Sequence, residues 1–460
     1  MPGAARYHPY RERRRFASVV SMAADQKKKR NRANQTVSRR LPGGGLVELI
    51  YQLDTGQTAF AVYRDSQVSV ASSLQTDAGE QLIPVPATNN LIKHGAVLLA
   101  DAPEPFGSTS ELIGAIQEYL FRYVDLSERF QRIASYYVLL TWVYDAFNEL
   151  PYLRLRGDFG SGKTRALIVI GSLCYKTFFA SGASTVSPIF HTLDTYRGTL
   201  IFDEADFRFS DEKSELVKIF NNGNAKGFPV LRTAITVKNE FDPRAFTVFG
   251  PKIVAMRRSF EDHALESRFL TEEMGQRRLR NDIPINLPDA QKEEARRLRN
   301  QLLMYRFQSL DRIKIDESLV DPALSPRLNQ ILVPLLSIID DEQLQEEVRD
   351  SVRSFDQDLY AERSASAEAG VLEVLSELLE QSEQSNIPVA EVTAGFAARF
   401  GQEYDRPITN RFVGGILRKR LRLSTYKSHG VYVVPATEKA KVDQLCVRYG
   451  VVEKISDATG

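Results

Sequence analysis

Three glycines and a lysine constrain this 460-residue chain more tightly than any other feature. The run Gly157-Asp158-Phe159-Gly160-Ser161-Gly162-Lys163-Thr164 has the spacing GxxxxGKT. It lies between an alternating strand pattern, Tyr152-Leu153-Arg154-Leu155-Arg156, and a helix pattern with an apolar face over Thr164 to Cys174. Glycine reaches backbone dihedrals that a Cβ forbids, so such a loop can turn its N–H groups inward around an anion. The helix that follows points its positive end at the same place. Residues Gly157 to Gly162 are therefore expected to cradle the phosphates of ATP or GTP. Lys163 would reach the β- and γ-phosphates, and the Thr164 hydroxyl would hold Mg²⁺. Strand, loop and helix in this order predict an α/β fold of the P-loop NTPase kind, a parallel sheet flanked by helices.

A second apolar strand pattern, Thr199-Leu200-Ile201-Phe202-Asp203-Glu204, ends in two carboxylates. Asp203 is expected to hold Mg²⁺ through water, and Glu204 to orient and deprotonate the attacking water, which makes hydrolysis the expected chemistry. A third strand pattern, Pro251-Lys252-Ile253-Val254-Ala255-Met256, carries Arg257 and Arg258 at its tip. Between these two strands, residues 213–220 read as a helix that the Asn221-Asn222-Gly223-Asn224-Ala225-Lys226-Gly227 cluster breaks. A basic strand pair follows, and Lys226, Arg232 and Lys238 belong to this region.

The GDFGSGKT loop, the IFDEAD strand, the NNGNAKG segment followed by Arg232, and the Ala264-Leu265-Glu266-Ser267-Arg268-Phe269 box together resemble one family. It is that of the AAA+ helicase-like ATPases encoded by phages, plasmids and genomic islands, and the resemblance covers residues from about 110 to 435. The short spacing between Lys163 and Asp203 is similar to that of the compact superfamily III helicases. The resemblance implies a homo-oligomeric ring, expected as a hexamer, with ATP and Mg²⁺ at subunit interfaces. It makes Arg268 an arginine finger that neutralises charge on a neighbour's γ-phosphate in the transition state; the alternative is an ordinary arginine on a helix surface. At the tip of the sensor strand the family usually places asparagine or threonine. Here Arg257 and Arg258 stand instead, and they either contact the γ-phosphate or pair with a carboxylate. The family's pore hairpin grips DNA phosphates, a role for Lys226, Arg232 and Lys238. Arg232 can equally complete the nucleotide site, and a solvated basic loop is the third reading. A helical lid is implied over 288–365, where Arg296, Arg297 and Arg299 lie on a charged helix.

The net charge of +1 conceals an asymmetry, because residues 1–40 hold 12 Lys and Arg against 2 acids. A basic disordered arm is expected over 1–44, with Arg13-Arg14-Arg15 and Lys27-Lys28-Lys29-Arg30 suited to nucleic-acid phosphates. The arm can equally be a solubilising tail, or an extension upstream of a start at Met22. Residues 45–107 read as a small β-rich module, with strands at Leu46–Leu53 and Thr58–Tyr63 around the turn Asp54-Thr55-Gly56, and further strands at Val68–Ala71 and Ala96–Leu99. A helical linker over 108–150 leads to the ATPase core, 151–287. Its apolar run from Ile133 to Phe147 is interrupted by Asp145 and too short to span a bilayer.

Residues 366–436 read as three helices, Gly370–Leu379, Val389–Phe400 and Asn410–Leu421, followed by a hairpin around Ser428-His429-Gly430. That is a winged-helix pattern whose third helix faces duplex DNA through Arg411, Arg418, Lys419, Arg420 and Arg422, although winged helices also bind proteins. Val413 and Leu417 would face the core of this domain. A tail, 437–460, follows. Two cysteines offer neither a disulfide framework nor zinc spacing, which fits a reducing cytoplasm. The expected function is an ATP-dependent DNA helicase-like motor in the replication of a mobile element or virus-like genome, with single-stranded DNA in the pore. An origin-binding initiator or helicase loader, and an ATP-switched DNA-binding regulator, are the alternatives.

Overall fold

The computed structural model describes residues 33–203, 211–235, 241–258, 260, 262–276, 279–364, 367–381, 386–401 and 407–451. Glu204, Lys238 and both basic runs of the arm lie outside the described residues. The chain forms two compact units, Met1–Val348 and Arg349–Gly460.

The first unit begins with β1 (Asn34–Thr36) and β2 (Ser38–Arg40), which corrects the expectation of a disordered arm reaching residue 44. Val37 and Leu41 are buried and anchor these strands while the arginines of β2 face outward, a pattern too short to register against the basic composition. β3 (Leu46–Gln52) and β4 (Gln57–Arg64) form a hairpin whose turn carries Gly56 at φ 63°. β5 (Gln67–Ala71) completes an antiparallel sheet in the order β2-β3-β4-β5. β6 (Leu74–Gln75) and β7 (Gln81–Pro84) form a second small sheet with β1. The strand expected at Ala96–Leu99 is absent; Val97 makes only an isolated bridge to Phe178.

Two helices carry the chain onward. α1 (Thr109–Tyr123) starts at a capping box, with Ser108 and Glu111 satisfying each other's backbone N–H. α2 (Glu128–Val143) is capped by Ser127 and buried on nearly every side from Ile133 to Val143. No helix among the described residues is long and apolar enough to cross a membrane.

The central layer is a five-stranded, wholly parallel sheet built from β8 (Tyr152–Arg156), β9 (Phe178–Ser181), β10 (Leu200–Asp203), β13 (Lys252–Met256) and β14 (Phe269–Glu273). Its order is β14-β8-β13-β10-β9. Parallel strands need helical crossovers, and here α3 (Lys163–Gly171), α4 (Val186–Tyr196) and α5 (Asp211–Asn222) provide them. Between β10 and β13 the chain makes the antiparallel pair β11 (Val230–Ile235) and β12 (Phe241–Phe246). Sequence patterning leaves out β9, α4 and β14. β9 is only four residues long, and β14 alternates buried with half-buried positions on the outer edge.

Beyond the sheet, α6 (Asp289–Ser309) packs against α1 and α2 and reaches the N-terminal sheets, and α7 (Pro326–Leu336) packs against α2. α8 (Glu342–Ser364) contains the division between the units. The arginines of α6 are engaged away from the glycine loop: Arg296 with Asp101 and Glu293, and Arg299 with the carbonyls of Leu99 and Ser172.

The second unit packs α9 (Ala367–Gln381), α10 (Val389–Phe400), α11 (Asn410–Gly415) and α12 (Lys439–Tyr449) around one core. A three-stranded sheet, in the order β15 (Ile387–Pro388), β17 (Val431–Val434), β16 (Tyr426–Ser428), closes it. After α11 the backbone widens into π winding over Ile416–Arg420, with Leu421 N donating to Ile416 O. Val413 and Leu417 are fully buried here.

Candidate nucleotide site

All five parallel strands end at one edge, and the Gly157–Thr164 loop, Asp203, Arg257 and Arg258 lie there for that reason. The loop after β8 turns at Gly160 (φ 77°) and Gly162 (φ 90°), left-handed positions that favour glycine. Gly157 is required for a different reason. A Cβ there would lie 2.5 Å from Met274 O and 2.8 Å from Ser161 Oγ. Gly162 caps α3 with no side-chain acceptor, so the first-turn N–H groups open into the loop.

Lys163 Nζ donates to Gly157 O and Asp158 O, both at 2.6 Å, and to Ser161 Oγ at 3.3 Å. The ammonium is thus held over the loop's own carbonyls. Thr164 Oγ1 donates to Asp203 Oδ2 at 2.7 Å. Thirty-nine residues separate these two in the chain, and β13 separates their strands, yet sheet register brings the hydroxyl and the carboxylate into direct contact. A hydroxyl and a carboxylate are hard oxygen donors, the set Mg²⁺ takes when substrate phosphates supply its remaining ligands. Among the described residues no cluster of three or more His, Cys, Asp or Glu could hold a metal alone.

A cavity of about 580 Å³ opens beside the loop, within the size range of small-molecule sites. Its walls include Asp158 to Gly162, Val124, Asp125, Leu279 and Ile283 to Ile285. Arg165, in the first turn of α3, donates to the carbonyls of Pro284 and Ile285 and so ties the 283–285 segment to the helix that follows the loop. Arg156 and Glu273 pair at the ends of β8 and β14, and Met274 N donates to Arg156 O at 2.6 Å. The Met274 and Ile283 to Ile285 walls leave no motif in the sequence.

Arg257 and Arg258 follow β13 at this same edge and are exposed. Arg268 is elsewhere. It precedes β14, and Phe269 pairs with Tyr152, so it sits at the opposite edge of the sheet from the loop of its own chain. Four strand steps at about 3.3 Å each put roughly 13 Å between the two ends of β8. Arg268 is 8% exposed, with Nη1 donating to Asn221 Oδ1. Burial, aided by the charge of Arg327, holds that guanidinium below the usual arginine pKa.

On β11, Arg232 pairs with Glu215 at 2.7 Å and lies 5.3 Å from the Phe190 ring. Its cross-strand partner is Arg244, a basic residue that sequence reading passes over. Lys226 donates to Asp145 O at 2.9 Å and is exposed. In the second unit Arg411, Arg418, Lys419, Arg420 and Arg422 are all exposed. Arg418 lies 5.4 Å from the Tyr432 ring, and Arg420 pairs with Glu368 at 2.7 Å. Tyr432, 54% exposed, joins this basic surface without a sequence signal of its own.

No family model matches the chain, and no curated protein matches it. Among solved structures, the apo NrS-1 C terminal region (305-718) aligns over 85% of this chain and 96% of its own, at 11% identity and a TM-score of 0.35. JCV helicase aligns over 53% and 61%, at 13% identity and a TM-score of 0.23. Cdc6p from Pyrobaculum aerophilum aligns over 71% and 96%, at 10% identity and a TM-score of 0.21. Likeness at this level carries no argument about activity. The chain itself shows a mixed α/β fold in which a five-stranded parallel sheet carries the glycine loop and the Thr164–Asp203 contact at one edge.

Proposed function

We propose that the protein is an ATP-dependent, DNA helicase-like motor that hydrolyses ATP at the subunit interfaces of a homo-oligomeric ring, a hexamer by resemblance. The observation that carries this reading is the Thr164 Oγ1 to Asp203 Oδ2 contact at 2.7 Å, directly beside the glycine loop. On this reading an entering triphosphate draws Lys163 Nζ off the carbonyls of Gly157 and Asp158, while the loop N–H groups and the start of α3 bind its oxygens. Thr164 and Asp203 would hold Mg²⁺, which when bound would supply charge neutralisation for the triphosphate. Glu204 takes the proton of the attacking water, and Arg257 or Arg258 senses the γ-phosphate.

Arg268 serves the neighbouring subunit. Its place at the far edge of the sheet keeps it from its own loop and suits it to the loop of the next copy. Lys226, Arg232 and Lys238 face single-stranded DNA in the ring. The second unit acts as a winged helix that meets duplex DNA through Arg411, Arg418, Lys419 and Arg422. The setting is the replication of a mobile element or virus-like genome, inside the cytoplasm.

The test is ATP hydrolysis by wild type and Glu204→Gln, with and without single-stranded DNA, beside unwinding of a forked duplex. The expected result is DNA-stimulated hydrolysis and unwinding by wild type. The variant should bind ATP with turnover reduced by a factor of about 10² or more. Stimulated hydrolysis without unwinding would favour an initiator or loader, and hydrolysis indifferent to DNA would sink the motor reading.

A further inference from the structure

Asn221 lies in the last turn of α5, at the edge of the parallel sheet away from the glycine loop, and its side chain stands between two groups of opposite charge. Its amide oxygen accepts from Arg268 Nη1, and its amide nitrogen donates to Asp262 Oδ2 at 3.2 Å. Among the described residues the Arg268 guanidinium bonds no carboxylate, and its Nε is shielded from solvent without a hydrogen-bond partner. Buried arginines are ordinarily paired, because an uncompensated buried charge is expensive. Here a carboxylate lies one amide away, and a neutral group keeps it there. A carboxamide accepts on one side, donates on the other and adds no charge. A direct Arg268–Asp262 contact would instead saturate the fork of donors and neutralise it. Arg327, in the first turn of α7, adds positive charge to the same neighbourhood.

Resting on the trans role given to Arg268 above, we propose that Asn221 is a positioning residue for it. The amide holds the guanidinium in place and spaces Asp262 away, so that the arginine's charge is kept for the triphosphate presented by a neighbouring subunit. Nothing in the GxxxxGKT or strand–carboxylate motifs points to this residue. It follows from the helix end, the sheet edge and the two hydrogen bonds.

Subunit mixing tests it. Lys163→Ala subunits lose the phosphate cradle and keep the Arg268 edge; Arg268→Ala subunits have the reverse defect. Mixing the two restores ATP hydrolysis if Arg268 acts in trans. Asn221→Asp sets a carboxylate directly on the guanidinium. We expect its kcat to fall at least about tenfold with little change in KM, and mixing with Lys163→Ala subunits to restore turnover. That recovery would also show that the variant folds and assembles. Wild-type kcat in Asn221→Asp would overturn the role of Asn221 and leave that of Arg268 standing. A loss that Lys163→Ala subunits do not rescue, while the Arg268→Ala mixture is rescued, would overturn it equally. No recovery in the Lys163→Ala and Arg268→Ala mixture would remove the trans reading itself.

Discussion

Two groups of basic side chains in this protein are made of the same residue types and have opposite fates. In the first unit Glu48 Oε2 accepts from Lys176 Nζ and Glu48 Oε1 from Arg306 Nε, both at 2.7 Å. Tyr175 and Ser38 donate to the same carboxylate, and Arg306 holds Asp145 through both terminal nitrogens. Glu48, Lys176 and Arg306 are all under 5% exposed. This cluster joins β3, the turn before β9, the end of α2 and α6. In the second unit Arg411, Arg418, Lys419 and Arg422 stand in solvent. Buried, such residues must be fully paired, and they tie elements together. Exposed, they are held weakly and are available to a polyanion. Residue type alone therefore says nothing about function; burial and pairing decide it.

The largest effect should come from breaking the buried group. Glu48→Gln leaves Lys176 without its carboxylate and Arg306 with only Asp145, and should destabilise the first unit by about 3–5 kcal/mol in urea unfolding. A change under about 1 kcal/mol would show that the cluster is no tie at all. The pH dependence has a defined sign. Burial alone would raise the Glu48 pKa, but the charges of Lys176 and Arg306 overcome it and hold the carboxyl below its ordinary 4.5. A carboxyl whose folded pKa is depressed contributes stability that is present above 4.5 and lost as pH falls through the folded value. The acid limb of the stability curve should therefore flatten in Glu48→Gln.

At the surface group the expectation inverts. Changing Arg418, Lys419 and Arg422 together to alanine should leave stability within about 0.5 kcal/mol per site. It should weaken DNA binding and reduce the slope of log affinity against log salt by about 1 for each phosphate that these side chains neutralise. Unchanged salt dependence would remove DNA from this face. Arg420→Ala should do least, because Arg420 is already paired with Glu368 at the surface of the second unit, an interaction on the order of 1 kcal/mol or less. If it weakens DNA binding as much as Arg418→Ala does, the pairing is not what separates them.

Much of the architecture was legible in the chain. The β8–loop–α3 unit, the strand ending at Asp203 and the first three helices and hairpin of the second unit follow from glycine spacing and from periods of 2 and 3.6 residues, whereas α12, expected as part of a tail, packs Val442 and Cys446 into that unit's core. Less legible were β1 and β2, hidden in a basic stretch, and β9 and β14, too short or too polar to register. Of the site, the glycine loop stood out at once. The wall of Met274 and the 283–285 segment did not, because ordinary apolar residues form it from far along the chain.

The sequence by itself determined each local element, since the forces that set a turn at Gly160 or a helix start at Lys163 act within a few residues. Only the tertiary structure decided that β13 lies between β8 and β10, so that Thr164 meets Asp203 across it. It alone placed Arg268 against Asn221 at the far edge and buried Arg306 while leaving Arg418 in solvent. Those outcomes depend on strand order and on which surfaces are removed from water. Both are set by the sum of many weak long-range interactions, and no short stretch of sequence records that sum.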